Sequence, residues 1–508
     1  MYCDGDSIKK EQYYRYVLTG VVNALDSFGV DLSDFDDERG ASLGGLEWHL
    51  RRTVRSLVYF SEGSPSTNYK RFHRNFRETL NCEEYRQALC LSYLSERLLL
   101  HIDLLHKLCM AFFMNLSVYD FCLRIVGDIR KRDGGGEEEI RHDPEELEEK
   151  LRESHRAIKE WADKLKVTKP AYWISYVKDQ MNLGFDPFAR GNMPHVFFRT
   201  HYLLGDREKI VRNIRSSTPT CEDFSSILLR EAKVNPEYRG FLEACSRWSR
   251  RHLYVNLQNR KPTFLWKNES SRCSAIEKLQ EEYPSSLTVV GLAKDSSFYW
   301  QAREYQDRND ARKFKEKLSS QIFGEKDSGF FFPKVLLEAS HFSFKEDVSF
   351  MISDIHKRYF SSSEELLCRQ RMDFIEIFYV HLIEYLIFRT DSDSYNISCK
   401  DCIDRAGGMN GLLFLSQYFE QEERFRGLRY RDLEAIVFSP AVFVRQREIK
   451  SDRLERMISA AKRLMDSRGG SSGRFLRDHW KVKKVSVDVQ GLSSESTGCC
   501  ALFPVMFN

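Results

Sequence analysis

At 508 residues the chain is too long for one ordinary hydrophobic core, so length alone predicts two or three compact units. With 42% apolar and 30% charged residues it has the makeup of a folded protein, which excludes disorder as the default. Lys and Arg outnumber Asp and Glu by only 78 to 75, so no global field drives the molecule onto nucleic acid or an anionic membrane, and any anion site has to be local.

From about residue 11 to 130, apolar positions recur three and four apart in YYRYVLTGVVNALDSF, GLEWHLRRTVRSLVYF and YRQALCLSYLSERLLLHIDLLHKLCMAFF. The pattern predicts an all-α N-terminal region, 1–132, available to a protein partner. A glycine run, 134–136, and a dense charge pattern follow, and 133–184 reads as a break plus a long solvent-exposed linker helix beginning near Asp143-Pro144.

Beyond residue 185 the pattern changes. Segments rich in aromatic and β-branched residues, HVFFRTHYLL (195–204), HLYVNLQ (252–258), SLTVVGLA (286–293) and FYWQ (298–301), alternate with helical ones such as CEDFSSILLREAKV, GFLEACSRWSRRH and DARKFKEKLSSQIF. This alternation predicts an α/β domain over 185–470. Within it, 363–389 reads as a buried helix whose start, a variant of the Ser-X-X-Glu pattern, resembles a cap, and AIVFSPAVFV (435–444) reads as strand-like. The Ser/Gly-rich remainder, 471–508, reads as a loose tail.

Thirteen cysteines without a repeating spacing, and a start lacking the layout of a signal peptide, favour free thiols in a reducing, cytoplasmic-type compartment. The protein is expected to be soluble or peripherally membrane-associated, and secretion by a signal-independent route is compatible with the same residues. The longest apolar stretches, 108–119 and 374–388, are interrupted by Asn115 and by Glu376, His381 and Glu384, and neither reaches the roughly 18 uninterrupted apolar residues of a spanning helix.

The stretch carrying most chemistry is CKDCIDRAGG, 399–408, between a short strand at 395–398 and a helix with Met409, Leu412, Leu413, Leu415 and Phe419 on one stripe. A strand-loop-helix passage aims backbone N–H groups and the positive helix end at one spot, a seat for a phosphate. The same field lowers the pKa of a cysteine at the base of the loop, making Cys399 a nucleophile, and an arginine six positions on, Arg405, can hold two phosphate oxygens. Asp404 and Asp401 are the nearest candidates for the general acid, with Asp354 and Asp295 on other segments. Lys400 sits at the rim, where it can pair with a second phosphate. Lys400, Asp401, Cys402, Ile403, Asp404 and Arg405 together form the loop.

CKDCIDR resembles the Cys-X5-Arg signature of the protein-tyrosine-phosphatase-like superfamily, and within it the phosphoinositide-hydrolysing branches. Cys399, Asp401, Cys402, Asp404 and Arg405 match the Sac-type loop, with Ile403 for Leu, and Cys399, Lys400, Asp404 and Arg405 match the loop of inositol polyphosphate 4-phosphatases and related bacterial effectors. The resemblance covers about ten residues. It implies an α/β phosphatase-like fold, no cofactor or metal, and a phosphoinositide or inositol phosphate substrate, with peripheral membrane contact. Ala406 departs from the pattern, because those families place Thr or Ser there to assist the departing thiolate. Ile403 replaces the second basic residue of the effector loop.

Other readings of the same cysteines stay open: a dithiol redox pair, which leaves Arg405 unexplained, two buried structural thiols, and a zinc site, for which the other ligands are missing. A catalytically weak, headgroup-binding interaction protein and a protein-tyrosine phosphatase are the functional alternatives. Three basic clusters are candidate binding sites: Arg247, Arg250, Arg251 and His252; Arg207, Lys209, Arg212 and Arg215 on an expected helix; and Arg445, Arg447, Lys450 and Arg453. Of these, Arg445, Arg447 and Lys450 are expected to assist substrate binding. None has the aromatic interleaving of a nucleic-acid site.

Overall fold

The computed structural model describes residues 4–35, 45–58, 63–130, 139–168, 192–222, 232–261, 267–323, 328–338, 343–420, 427, 429–466 and 482–489. The glycine run lies outside them. Counting helices of eight residues or more, the N-terminal region holds α1 (Asp4–Ser27), α2 (Leu46–Val58), α3 (Pro65–Asn81), α4 (Glu83–Cys90), α5 (Glu96–Phe113) and α6 (Ser117–Arg130), followed by α7 (Pro144–Thr168). The sheet region holds β1 (His195–Leu204), β2 (Arg207–Arg215), β3 (Thr220–Glu222), β4 (Ala232–Val234), α8 (Pro236–Arg247), β5 (His252–Asn256), α9 (Lys267–Glu282), β6 (Leu287–Gly291), α10 (Ala311–Phe323), α11 (Phe344–Phe360), α12 (Cys368–Arg389), β7 (Ser394–Ser398), α13 (Asp404–Glu420), α14 (Tyr430–Pro440), α15 (Ser451–Asp466) and β8 (Val482–Asp488).

Six strands form one mixed sheet in the order β6-β5-β7-β2-β1-β8. Strands β6, β5, β7 and β2 run parallel, whereas β1 pairs antiparallel with both β2 and β8. Every residue of β5 and of β7 is buried, as a parallel strand covered on both faces requires. Helix α12, buried almost all round, covers part of the sheet; its apolar residues leave no polar stripe because it has no solvent face.

The N-terminal helices share this core. One contiguous apolar cluster runs from Tyr13 through Phe113, Phe241 and Tyr254 to Val485, so the expected boundary divides the sequence but not the packing. Asn115 shows the stitching: its Nδ2 donates to Val17 O (2.9 Å), its Oδ1 accepts from Val118 N at the start of α6 (3.3 Å), and its carbonyl accepts from Val196 N (3.1 Å). The stretch Glu96–Arg130 is apolar and long enough to cross a membrane, but it is split into α5 and α6 around Asn115 and 72% of its most apolar window is buried in the molecule.

Several sequence expectations are corrected. Helix α7 begins at Pro144 as expected, capped by Asp143, but is not simply solvent-exposed: Leu147, Leu151, Ile158 and Ala162 are buried, and Ser154 and His155 bond Glu434 and Ile449 O. Arg207 to Arg215 form strand β2, not a helix, because Gly205 at φ +64° turns the chain into a hairpin that pairs Leu204 with Arg207. FYWQ is not a strand, since Ser296 accepts from Tyr299 N and caps a four-residue helix, Ser297–Trp300. AIVFSPAVFV is the end of α14 and a following π-turn, Ala441–Arg445. CEDFSSILLREAKV begins in β3 and ends in β4, its middle lying outside the described residues. Helix α12 starts at Cys368, capped by Gln370 reaching back to Leu367 N (2.8 Å), not at Ser363. The expected tail contributes β8 to the sheet edge.

Glycines explain how α13 sits among its neighbours. A Cβ on Gly411 would lie 2.5 Å from Val437 Cγ2 and 2.9 Å from Met457 Sδ, so α14 and α15 approach α13 more closely than any side chain there permits. Gly411→Val is therefore expected to lower stability by roughly 1–3 kcal/mol through overpacking. A thermal midpoint equal to the parent's would show that the close approach is dispensable.

Candidate active site

The carboxyl ends of the parallel strands converge on one region, the usual place for a ligand in an open α/β sheet. From β7 the chain passes through Cys399 to Ile403 into α13 at Asp404. Strand β2 delivers Ser216 to Thr218, β5 delivers Leu257 and Gln258, and β6 delivers Lys294 and Asp295. The expected strand-loop-helix passage is present, with the strand one residue longer.

The back of the loop is held by its carbonyls. Thr218 Oγ1 and Ser398 Oγ donate to Cys399 O (3.2 and 3.1 Å), Thr218 N donates to Lys400 O (3.3 Å), and Arg215 Nη2 donates to Asp401 O (2.8 Å). Because the C=O of one residue and the N–H of the next point oppositely across a trans peptide, these bonds turn the Lys400 and Asp401 N–H groups toward the other side of the loop. Cys402, at φ +53°, makes the sharp bend, and its Sγ reaches Ile397 O (3.4 Å). Gln258 bonds Thr218 Oγ1 (2.7 Å) and is itself held by Arg272 (2.7 Å). Arg215 is fully buried, and its charge acts on the Cys402, Cys122 and Tyr13 side chains around it.

The two cysteines differ. Burial pushes the Cys402 thiol up to about 12, so it stays protonated at neutral pH. Cys399 is 5% exposed and close enough to Arg405 for its sulfur to act on the guanidinium. Both are free thiols, and among the described residues no group of three His, Cys, Asp or Glu side chains is placed to hold a metal ion.

Arg405 is gripped along one edge. Its Nη1 donates to Glu269 Oε2 (3.0 Å), Leu257 O (3.0 Å) and Asp295 Oδ2 (2.6 Å), and its Nη2 to Glu269 Oε1. Burial alone would weaken its hold on the proton, but Glu269, Asp295 and Cys399 raise it instead. Among the described residues no hydrogen bond uses its Nε. Glu269, from the first turn of α9, is held below the usual carboxylate range because Arg405 outweighs the cost of burial.

The expected substrate-binding residues surround the same loop, paired with its acids. Arg445 donates to Asp401 Oδ2 through Nη2 and Nε (2.8 and 3.1 Å). Arg447 grips Asp404 with both Nη atoms (2.9 and 2.7 Å), and Lys450 N also donates to Asp404 Oδ1 (3.0 Å). Burial would raise the Asp404 carboxyl, but Arg447 holds it below the usual range. A carboxyl held ionised in this way is a poor store for a leaving-group proton. Of the two remote acids, Asp295 is brought to Arg405, whereas Asp354 pairs with Arg358 (2.8 Å) one turn along α11.

Sequence reasoning missed Glu269 and Thr218, and it placed Arg215 only in a basic cluster on an expected helix, not beneath the loop. The only signal for them is fold-level: all three follow or end a strand, or open a helix, at the carboxyl edge of the sheet. Compared with protein-family models, with curated proteins and with solved structures, this chain matches none.

Proposed function

We propose that the protein is a cysteine-dependent phosphatase that hydrolyses a phosphomonoester of a phosphoinositide or inositol phosphate. The observation that supports this best is the Cys399-to-Arg405 loop itself: it spans strand and helix, its carbonyls are tied back, and its arginine is fixed by Glu269 with the Nε side left over. In this reading the Cys399 thiolate attacks phosphorus, an S–P bond forms as the ester P–O bond breaks, and the leaving oxygen takes its proton from solvent. Arg405 and the loop amides stabilise the charge that builds on the equatorial oxygens. Water then cleaves the S–P bond, releasing phosphate and a proton and restoring the thiolate. The substrate class rests on the resemblance of CKDCIDR to the phosphoinositide phosphatases and on the arginines around the loop.

A second reading is a headgroup-binding protein with little or no turnover. Ala406 favours it, since this buried first-turn residue of α13 has no hydroxyl to donate to the departing thiolate. Phosphate release measured across inositol phosphates, short-chain phosphoinositides and phosphotyrosine peptides separates these readings. The expected result is release from the inositol compounds at several times the peptide rate. Faster release from the peptides would make the protein a tyrosine phosphatase, and binding of headgroups without release from any substrate would establish the second reading.

A further inference from the structure

Asp295 is shared by two arginines from different elements. Its Oδ2 accepts from Arg405 Nη1 (2.6 Å) and its Oδ1 from Arg453 Nη2, so one carboxylate bridges two guanidinium groups. Arg453 stands in the first turn of α15, 10% exposed, with its guanidinium 4.5 Å over the Trp300 ring and its Nη1 bonded to Lys294 O (2.9 Å). The positive charges of Arg405 and Arg453 oppose each other, and Asp295 offsets this. Two guanidinium groups, each placing one Nη on this oxyanion, form a seat that phosphate oxygens suit as well, because guanidinium N–H groups pair with carboxylate and phosphate oxygens alike. Asp295, 32% exposed, is the most accessible member of the cluster, whereas Glu269, at 8%, is locked behind Arg405.

We propose that Arg453 is the specificity residue for a second phosphate, that Asp295 occupies its seat in the free protein, and that the preferred substrate carries two neighbouring phosphates on a polyol ring. One phosphate is cradled by the loop and Arg405. The adjacent phosphate displaces the Asp295 carboxylate from Arg453. This inference rests on the phosphatase reading of the loop.

The test is calorimetric titration of the Cys399→Ser protein, which cannot turn substrate over, with inorganic phosphate, an inositol monophosphate and a vicinal inositol bisphosphate. The same headgroup on a short-chain lipid distinguishes a lipid from a free polyol ligand, and the Arg453 effect is expected in whichever form binds. Adding Arg453→Met is expected to weaken the bisphosphate at least ten-fold and the monophosphate less than three-fold. Adding Asp295→Asn, which removes the internal competitor, is expected to tighten the bisphosphate several-fold. Equal weakening of mono- and bisphosphate, or none, would overturn the role of Arg453; unchanged affinity with Asp295→Asn would overturn the role of the carboxylate. Should Arg453→Met fail to fold, the Asp295→Asn titration decides alone. If the Cys399→Ser protein binds none of the three anions, the reading of the loop itself falls.

Discussion

Cys399→Ser is expected to reduce phosphate release at least a thousand-fold with the thermal midpoint unchanged within a few degrees. A serine hydroxyl is a far weaker nucleophile toward phosphorus than a cysteine sulfur, and the Cys399 sulfur stands beside Arg405 at the start of α13. Arg405→Lys should lose on the order of a hundred-fold or more, since an ammonium group cannot reproduce the planar fork that Glu269 orients. Cys402→Ser is the informative control: its thiol is buried and stays protonated, so the loss should be far smaller. If Cys399→Ser and Cys402→Ser lowered activity equally, the nucleophile would be misassigned and a dithiol role would gain ground.

The largest stability effect is expected at Glu376, in the middle of α12. Its carboxylate, 3% exposed, accepts from Lys294 Nζ (2.8 Å), Arg456 Nε (3.0 Å) and Tyr299 Oη, and both cations are 4% exposed. Burial alone would raise its pKa, but Lys294 and Arg456 bring it down to about 2. Glu376→Gln leaves two buried cations without their counter-charge, a change that costs about 3–5 kcal/mol in comparable buried pairs. Chemical denaturation at neutral pH is the measurement, and a loss below 1 kcal/mol would contradict the arrangement. The pH dependence has a definite sign: a carboxyl whose folded pKa is depressed contributes stability above its ordinary value of 4.5, and that contribution fades as pH falls toward about 2. The parent should therefore lose stability across this window more steeply than Glu376→Gln. Lys294 adjoins Asp295, so the variant should also loosen the bridge between Arg405 and Arg453.

The α/β alternation, β1 and the strand-loop-helix layout at Cys399 were legible because each depends on local pattern: period-two aromatic and β-branched runs, then a turn, then a helical stripe. The misreadings arose where local pattern competes with burial or with turn chemistry. Residues 435–440 are rich in β-branched and aromatic side chains, yet α14 is helical; it is buried on nearly every side, so no polar face marks its period. The basic residues of β2 carry a helix-like spacing, and only the Gly205-Asp206 turn marks them as the second arm of a hairpin. Glu269 lies 136 residues from Arg405, and no single sequence marks which of its 75 acidic residues will meet a given arginine. Motifs state which chemistry is available; the strand order decides which distant residues are brought to it.

Arg215 extends the site's foundation well beyond the site. Its Nη2 holds Asp401 O from beneath and its Nη1 bonds Asn192 Oδ1 (3.3 Å), next to Met193, whose N–H donates to the Tyr13 hydroxyl in α1 (3.3 Å). A loop pinned from behind in this way is already ordered before an anion arrives. On the proposed phosphatase reading, binding then carries little loss of chain entropy, and the loop dipoles need no reorganisation. The helical layer thereby contributes preorganisation to a loop nearly four hundred residues downstream of α1.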